Sequence, residues 1–499
     1  MLRVLTFPFR VIWSVVVILV PLVGVWVASS LTAYLNGPVW AACVAGALLF
    51  PVIPLLWELR AHSKFLTRVD RAKEAGKKAP RRWMTWWDRV VVRTLVVNVA
   101  FLAALLMSYP AEGFTALSMR GDWMLQGEQS ERADIIRGGL FKASEGLAWL
   151  HRMANDNPYE KYDDGTSNTV KPEPNPVPVK PVVGQDDTPS EQQPEDVSPD
   201  TPRKFGEVPA WPMKAELHPL VKNIPAEYES SPKMVAEYIA SRESDPFLRV
   251  KALHDYVANH VAYDIKALRR GDYPPQDAET VFRTGMGVCA GYANLLSEMG
   301  RYSGDEIVYV SGHSRGENGE VAGGGHAWNA AKIEGKWYLL DATWDAGHVN
   351  GDTFTREYTT NYLFTPPRFF IHDHFPKNSS WQLMEQPITR GEFVRLPMMK
   401  ARFFAKGYEL LSPDRSQVTV NTDEVEVRLR NRSNIPMLVR VAPHGVSASD
   451  AQKPCQVSGL GELSITCELS GHGRYVVWMF GKEQGTTYGL VGHVEVNRQ

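Results

Sequence analysis

The 499-residue chain has little cysteine: four residues, at 43, 289, 455 and 467. That scarcity excludes a disulfide-dense scaffold. No CxxC pair occurs, so a thiolate zinc site or a thioredoxin-like redox pair is not expected. An excess of charge is missing too. Lys+Arg number 54 and Asp+Glu 56, a formal net charge of −2. A basic nucleic-acid binder is therefore not expected, and no nucleic-acid partner is assigned. No long internal repeat is found. At ~100–200 residues per domain the length allows about three domains. Hydrophobic residues make up 44% of the chain, an average value that conceals two unlike ends.

Long apolar runs lie at the first end. Val11–Leu35 carries no charge and exceeds the ~20 residues needed to cross a bilayer. Val39–Trp57 is a second such run, separated only by Asn36, Gly37 and Pro38, and Val90–Tyr109 is a third. Arg93, near the start of the third, is expected to snorkel to the interface. The first run is too long for a signal-peptide core, and a second span follows at once. Between runs two and three lies a basic stretch that includes Arg60, Lys64, Arg68, Arg71, Lys73, Lys77, Lys78, Arg81, Arg82 and Arg89. The positive-inside rule puts it, with Arg3 and Arg10, in the cytoplasm, and three crossings then leave the remainder extracytoplasmic. Trp83, Trp86 and Trp87 fit an interfacial belt.

This gives a membrane anchor over 1–110 and a short helical extracytoplasmic segment over 111–154. The region 155–204 is rich in proline and acidic residues with few apolar anchors. Such a composition cannot offset chain entropy by burial, so a disordered tether is expected there. Residues 205–402 read as a mixed helix–strand domain. Residues 403–499 read as a small β-sandwich of short alternating strands. Within it Cys455 and Cys467 are expected to form a disulfide in an oxidising extracytoplasmic space. Cys43 lies in the second span and is expected to be inert packing.

Three short patterns carry possible chemistry: GVCAGYA around Cys289, GGGHAWN around His326 and LLDATWD around Asp341. A thiol nucleophile needs a base, and the base needs a third group to orient its ring. Cys289 precedes a predicted helix over Gly291–Tyr302, where the helix dipole and free amides favour thiolate. His326 opens one predicted strand and Asp341 ends its hairpin neighbour, which puts the two side chains within reach. His313 is a rival base but sits in a loop-like stretch without the HAW context.

These motifs resemble the transglutaminase-like superfamily, whose papain-like core carries a Cys-His-Asp triad. GVCAGYANL, HAWNAAKIEGKWYLLDATWD and FFIHDHFPKNSSWQLMEQPIT together look like the branch of kyphoscoliosis peptidase and related cytokinesis proteins. The resemblance covers about Asp245 to Phe404, and this chain keeps all three triad residues. Membrane spans depart from what that branch implies. The implied fold is α+β: a papain-like transglutaminase core with a C-terminal β-sandwich, preceded by three transmembrane helices. The implied activity is attack of Cys289 on a peptide or glutamine amide, giving a thioester. A protease or amidohydrolase leads, with a crosslinking transglutaminase and a non-catalytic adaptor as alternatives. The substrate would be a protein or peptide, and the bilayer the other partner. Tyr263 is the candidate second oxyanion donor, since the superfamily places an aromatic or amide donor before the cysteine. Trp328 and Trp344 are expected to pack beside the triad. His372 and His374 form an H-x-H pair, read as a structural loop of the family; no metal and no organic cofactor is expected.

Overall fold

The computed structural model describes residues 2–35, 37–126, 128, 130–149, 157–163, 165–170, 172–174, 206–315, 324–483 and 485–499. The apolar runs fold as helices Leu2–Tyr34, Val39–Ala47 and Trp86–Ser108. The second continues through a π turn at Leu48–Val52 into Ile53–Glu74. Trp13–Tyr34, Val39–Glu74 and Trp86–Ser108 are each long and apolar enough to span a membrane. Ile18, Leu22, Trp40 and Leu56 stand exposed on them, a surface suited to lipid.

Two expectations about this region change. Arg60, Lys64, Arg68, Arg71 and Lys73 lie on the extended second helix, not in a loop. No glycine or proline stands between Leu55 and Ala75 to stop it. Arg93 does not snorkel. With Arg82 and Arg89 it is paired to Glu58, which is fully buried; the Arg82 and Arg89 contacts measure 3.2 and 2.9 Å. A buried carboxylate is far more costly unpaired than an interfacial guanidinium, so all three arginines turn inward.

Helix Pro110–Arg120 follows directly and is buried from Gly113 onward. Trp26 Nε1 donates to the Gly121 carbonyl at 2.9 Å, and Trp123 Nε1 to Ser29 Oγ at 3.2 Å. Arg395 donates to the Ser118 carbonyl at 2.9 Å. The anchor and the globular part therefore share a packed junction.

The globular part is built on a five-stranded antiparallel sheet. Its order is Leu363–Thr365, Lys336–Leu340, Gly324–Ile333, Glu306–Ser314 and His374–Pro376. Helices Pro232–Ala240, Pro246–His260 and Cys289–Ser303 share one core with Ala331, Ile333 and Leu340 of that sheet. Period-2 alternation sends Trp328, Ala330 and Leu339 into a second cluster with Trp337, Phe370 and Trp381. Asp245 caps Pro246–His260 through its carboxylate.

The C-terminal part is a sandwich. One sheet holds six strands, among them Met437–Pro443, Gly473–Lys482 and Tyr488–Arg498; the other holds four, led by Glu424–Asn431 and Glu462–Glu468. Val425, Val427 and Leu429 point into the core while Glu424, Glu426 and Arg428 face out. The six-stranded sheet already takes Met398–Met399, paired to Tyr488–Arg498, so the sandwich starts before residue 403. A two-residue strand leaves no alternation to read.

Cys455 and Cys467 are bonded to each other. Cys455 stands where the chain passes from Lys453–Pro454 in one sheet to Gln456–Ser458 in the other. The bridge closes a loop of 12 residues' separation. Replacing both cysteines by serine is expected to destabilise the sandwich by about 2–4 kcal/mol. Denaturant unfolding followed at Trp478 fluorescence would measure it; an unchanged midpoint would contradict it.

The expected disordered tether over 155–204 differs at its start. Residues 157–163 and 165–170 are packed, with Asn157, Tyr159 and Ser167 buried and short turns at Glu160–Tyr162 and Thr166–Thr169. Composition missed this because the anchors are one tyrosine and one asparagine set among polar residues. The proline-rich remainder, 175–204, lies outside the described residues.

Candidate active site

Cys289 is the first residue of helix Cys289–Ser303, as the sequence predicts to within two residues. Its approach is held by Gln276, whose Oε1 accepts from the Val288 N–H at 2.9 Å. A Cβ at Gly291 would sit 2.6 Å from that oxygen and 2.8 Å from Val281, so the turn needs glycine there. Asn329 faces the helix: its Nδ2 donates to the Ala293 carbonyl and to Ser297 Oγ, both at 2.9 Å. It ties strand to helix and does not enter the site.

His326 and Asp341 come from adjacent strands, Gly324–Ile333 and Lys336–Leu340. The ladder ends at the Asn329–Leu340 pair, and the Asp341 N–H turns to the Tyr362 carbonyl. His326 Nε2 and Asp341 Oδ2 are 2.7 Å apart, and the Cys289 thiol is close enough to act on the same ring. With Nε2 on the carboxylate, Nδ1 is the nitrogen for the thiol. Asp341 Oδ1 accepts the Thr343 and Trp344 N–H groups at 2.8 and 3.2 Å, capping Ala342–Ala346. Burial alone would lower the pKa of His326; Asp341 and Cys289 outweigh it and lift it to about 9. Burial would raise Asp341, but His326 and His374 hold it well below the usual carboxylate range.

The H-x-H pair divides. His372 is structural: Nδ1 is 3.2 Å from the Pro397 carbonyl, and burial pushes its pKa down to about 4. His374 instead lies in the site. Its Nε2 is 3.1 Å from Asp341 Oδ2 and its Nδ1 2.7 Å from Asp373 Oδ1, while Tyr362 Oη donates to Asp373 Oδ2 at 2.5 Å. Phe370, Trp344, Trp328 and Tyr362 surround the ring at centroid distances of 4.1 to 5.4 Å. An imidazole with a carboxylate at each nitrogen satisfies both only as the cation. Burial opposes that charge, yet the two aspartates lift His374 to about 9. The nitrogens of His326 and His374 with the Asp341 oxygen form a close triangle. Each of these atoms is already used in a hydrogen bond. The sequence pointed to His374 only through the HDH triplet.

Trp328 and Trp344 flank His326, with ring centroids at 5.9 and 5.5 Å. His313 is opposite Gly325 in the neighbouring strand; His326, not His313, bonds Asp341. Tyr263 lies in Ala262–Tyr263, paired in parallel with Met286–Gly287 just before the thiol, and packs in the cluster around Cys289.

A raised histidine pKa makes the folded state bind protons that the unfolded state releases. The contribution of His374 is therefore full below the unfolded value of about 6.5 and is lost as pH rises through about 9. The melting temperature is expected to fall over that window. His374→Gln is expected to lower stability and to flatten the slope. Calorimetry from pH 6 to 9.5 measures both, and an unchanged slope would remove the imidazolium assignment.

Residues 233–342 match the model of the transglutaminase-like superfamily. Its relatives narrow the branch. The chain is 33% identical to kyphoscoliosis peptidase of Mus musculus over 208 residues, 40% of this chain and 31% of that protein. It is 35% identical to kyphoscoliosis peptidase of Homo sapiens over 197 residues, 38% of this chain and 30% of that protein. Hillarin of Drosophila melanogaster is 29% identical over 134 residues, 23% of this chain and 16% of that protein. The chain thus spans less than a third of the length of these relatives.

Proposed function

We propose that this is a membrane-anchored, extracytoplasmic thiol enzyme that cleaves peptide or carboxamide bonds through a thioester. The observation that carries this is a buried imidazole bonded to a buried carboxylate, with the Cys289 thiol close enough to act on the ring. Transfer of the thiol proton to His326 gives a thiolate–imidazolium pair, with Asp341 holding the ring. Cys289 Sγ attacks the carbonyl carbon. The Cys289 N–H at the start of the helix would face the developing oxyanion, and Tyr263 would add a phenolic donor. Collapse breaks the C–N bond, and His326 passes its proton to the leaving amine. Water then attacks the thioester with His326 as base, releasing the acid and the thiol.

The extracytoplasmic assignment rests on charge and count. Three spans put the basic stretch around Arg60–Arg89 and the catalytic domain on opposite faces, and the positive-inside rule assigns the basic face to the cytoplasm. A disulfide in the sandwich fits an oxidising compartment. The test is a peptide and glutamine-carboxamide substrate panel run on the full chain in nanodiscs, with and without a primary amine. Acyl-enzyme on Cys289 by mass spectrometry and release of acid support a hydrolase, and amine incorporation would turn the assignment to crosslinking. No acyl-enzyme with any substrate would sink the proposal.

A further inference from the structure

Cys289 is 1% exposed, so no substrate reaches it until something moves. Val288, Ala290, Tyr309 and Ala327 cover it from the elements that build the site itself. Tyr159 joins the same cluster from a segment far away in sequence. We propose that the pocket lined by Tyr263, Tyr273, Tyr309, Ala267 and Ala290 is a subsite for an aromatic side chain of a peptide, and that Asn157–Tyr162 occupies it as a resident pseudosubstrate. This inference rests on the thiol-enzyme assignment above and names the substrate chemistry of that site.

The contacts are those of a bound peptide. Asn157 is 6% exposed and donates from Nδ2 to the carbonyls of Gly312 and His326, at 2.7 and 3.0 Å. Those two residues face each other across the strand pair that carries the base. Asn157 Oδ1 accepts the Tyr159 N–H at 3.0 Å, an Asx turn that suits the intervening proline. Tyr159 is 3% exposed; its carbonyl accepts from Tyr309 Oη at 2.9 Å, and its ring lies 5.4 Å from that of Tyr273. Its hydroxyl meets Tyr273 Oη at 3.4 Å, and Tyr263, the phenol assigned to the oxyanion, packs against the same cluster. The pocket is shaped for this occupant. A Cβ at Gly325 would fall 2.6 Å from Asn157 Oδ1 and 2.8 Å from Pro158 Cδ, so the glycine beside His326 makes the room. Outside the pocket the chain is held by an exposed Glu160–Lys377 ion pair, a weak tie in water, and by Trp381 Nε1, which donates to the Ser167 carbonyl at 3.2 Å. An amide, a proline and a phenol are read by carbonyls, a glycine and a ring of tyrosines. The ligand class is therefore a peptide with an Asn-Pro-aromatic sequence or its close equivalent.

The experiment uses the full chain in nanodiscs and follows carbamidomethylation of Cys289 by iodoacetamide with mass spectrometry. Tyr159→Ala is expected to raise the rate by about tenfold or more, since truncating a buried aromatic favours the open state. Adding acetyl-Asn-Pro-Tyr-Glu amide to that variant is expected to restore protection, and the same peptide with alanine for tyrosine is expected not to. Gly325→Ala is a second variant that keeps Asn157 and Tyr159 but fills the space of Asn157 and Pro158; it should also accelerate labelling, without rescue by the peptide. Labelling at the wild-type rate in both variants, or a peptide that gives Tyr159→Ala no protection, overturns the proposal. A peptide that protects an uncovered thiol no more reactive than free cysteine keeps the subsite and overturns the thiol-enzyme assignment instead.

Discussion

Replacing His326 with alanine is expected to slow alkylation of Cys289 at pH 6 by two to three orders of magnitude. The reason is the fraction of thiolate. An unpaired cysteine has a pKa of about 8.5, which leaves well under ~1% thiolate at pH 6. A thiol that can pass its proton to an adjacent imidazole does not depend on that small fraction. The imidazole here has Asp341 on its other nitrogen and a pKa of about 9, so it holds the proton well. The Tyr159 cover does not spoil the comparison. If opening is fast relative to alkylation, the opening constant multiplies both rates and leaves their ratio intact. His326→Ala would have to be checked for folding, and the far-UV spectrum and melting temperature serve for that. A rate within threefold of wild type at pH 6 would mean that His326 is not the base.

The largest expected loss of stability lies away from the thiol. Asp255→Ala is expected to destabilise the transglutaminase-like domain by about 3–5 kcal/mol, because it strands buried partners of one carboxylate. Asp255 Oδ2 is 2.5 Å from Lys251 Nζ and accepts the His218 N–H at 2.7 Å, while Oδ1 accepts from Tyr358 Oη. His254 lies fully buried between Asp255 and Asp345, at 3.4 Å from each. Asp345 in turn accepts the Tyr362 N–H at 3.1 Å, and the Tyr362 hydroxyl bonds Asp373, the partner of His374. The network runs from helix Pro246–His260 to the floor of the triad. Asp255→Asn, which keeps an acceptor but not the charge, is expected to cost less. Urea unfolding of the full chain in detergent, followed by near-UV dichroism, ranks the two. A loss below about 1 kcal/mol for the alanine variant would show that Lys251 and His254 find other partners.

Local patterns carried much of this architecture. Long apolar runs mark the three helices that are long and apolar enough to span a membrane, since a backbone in lipid has to satisfy itself within one helix. The Cys289 helix start, the His326 strand and the Asp341 strand end are each written in a few neighbouring residues, as are most sandwich strands from Gln417 to Val496. Four features were decided only by the tertiary structure. Arg93 turns to Glu58, which lies just past the end of the apolar run that precedes it. His374 joins Asp341 from 33 residues away. Asn157 reaches the carbonyl of His326 across 169 residues. The Asp255 and Asp345 network likewise joins separate elements. All are polar contacts made over long loops. Apolar periodicity is set by the residue's own helix or strand and survives in the sequence. The partner of a buried charge or amide is set by whichever distant group offers the missing hydrogen bond, and nothing near it in the chain encodes which one.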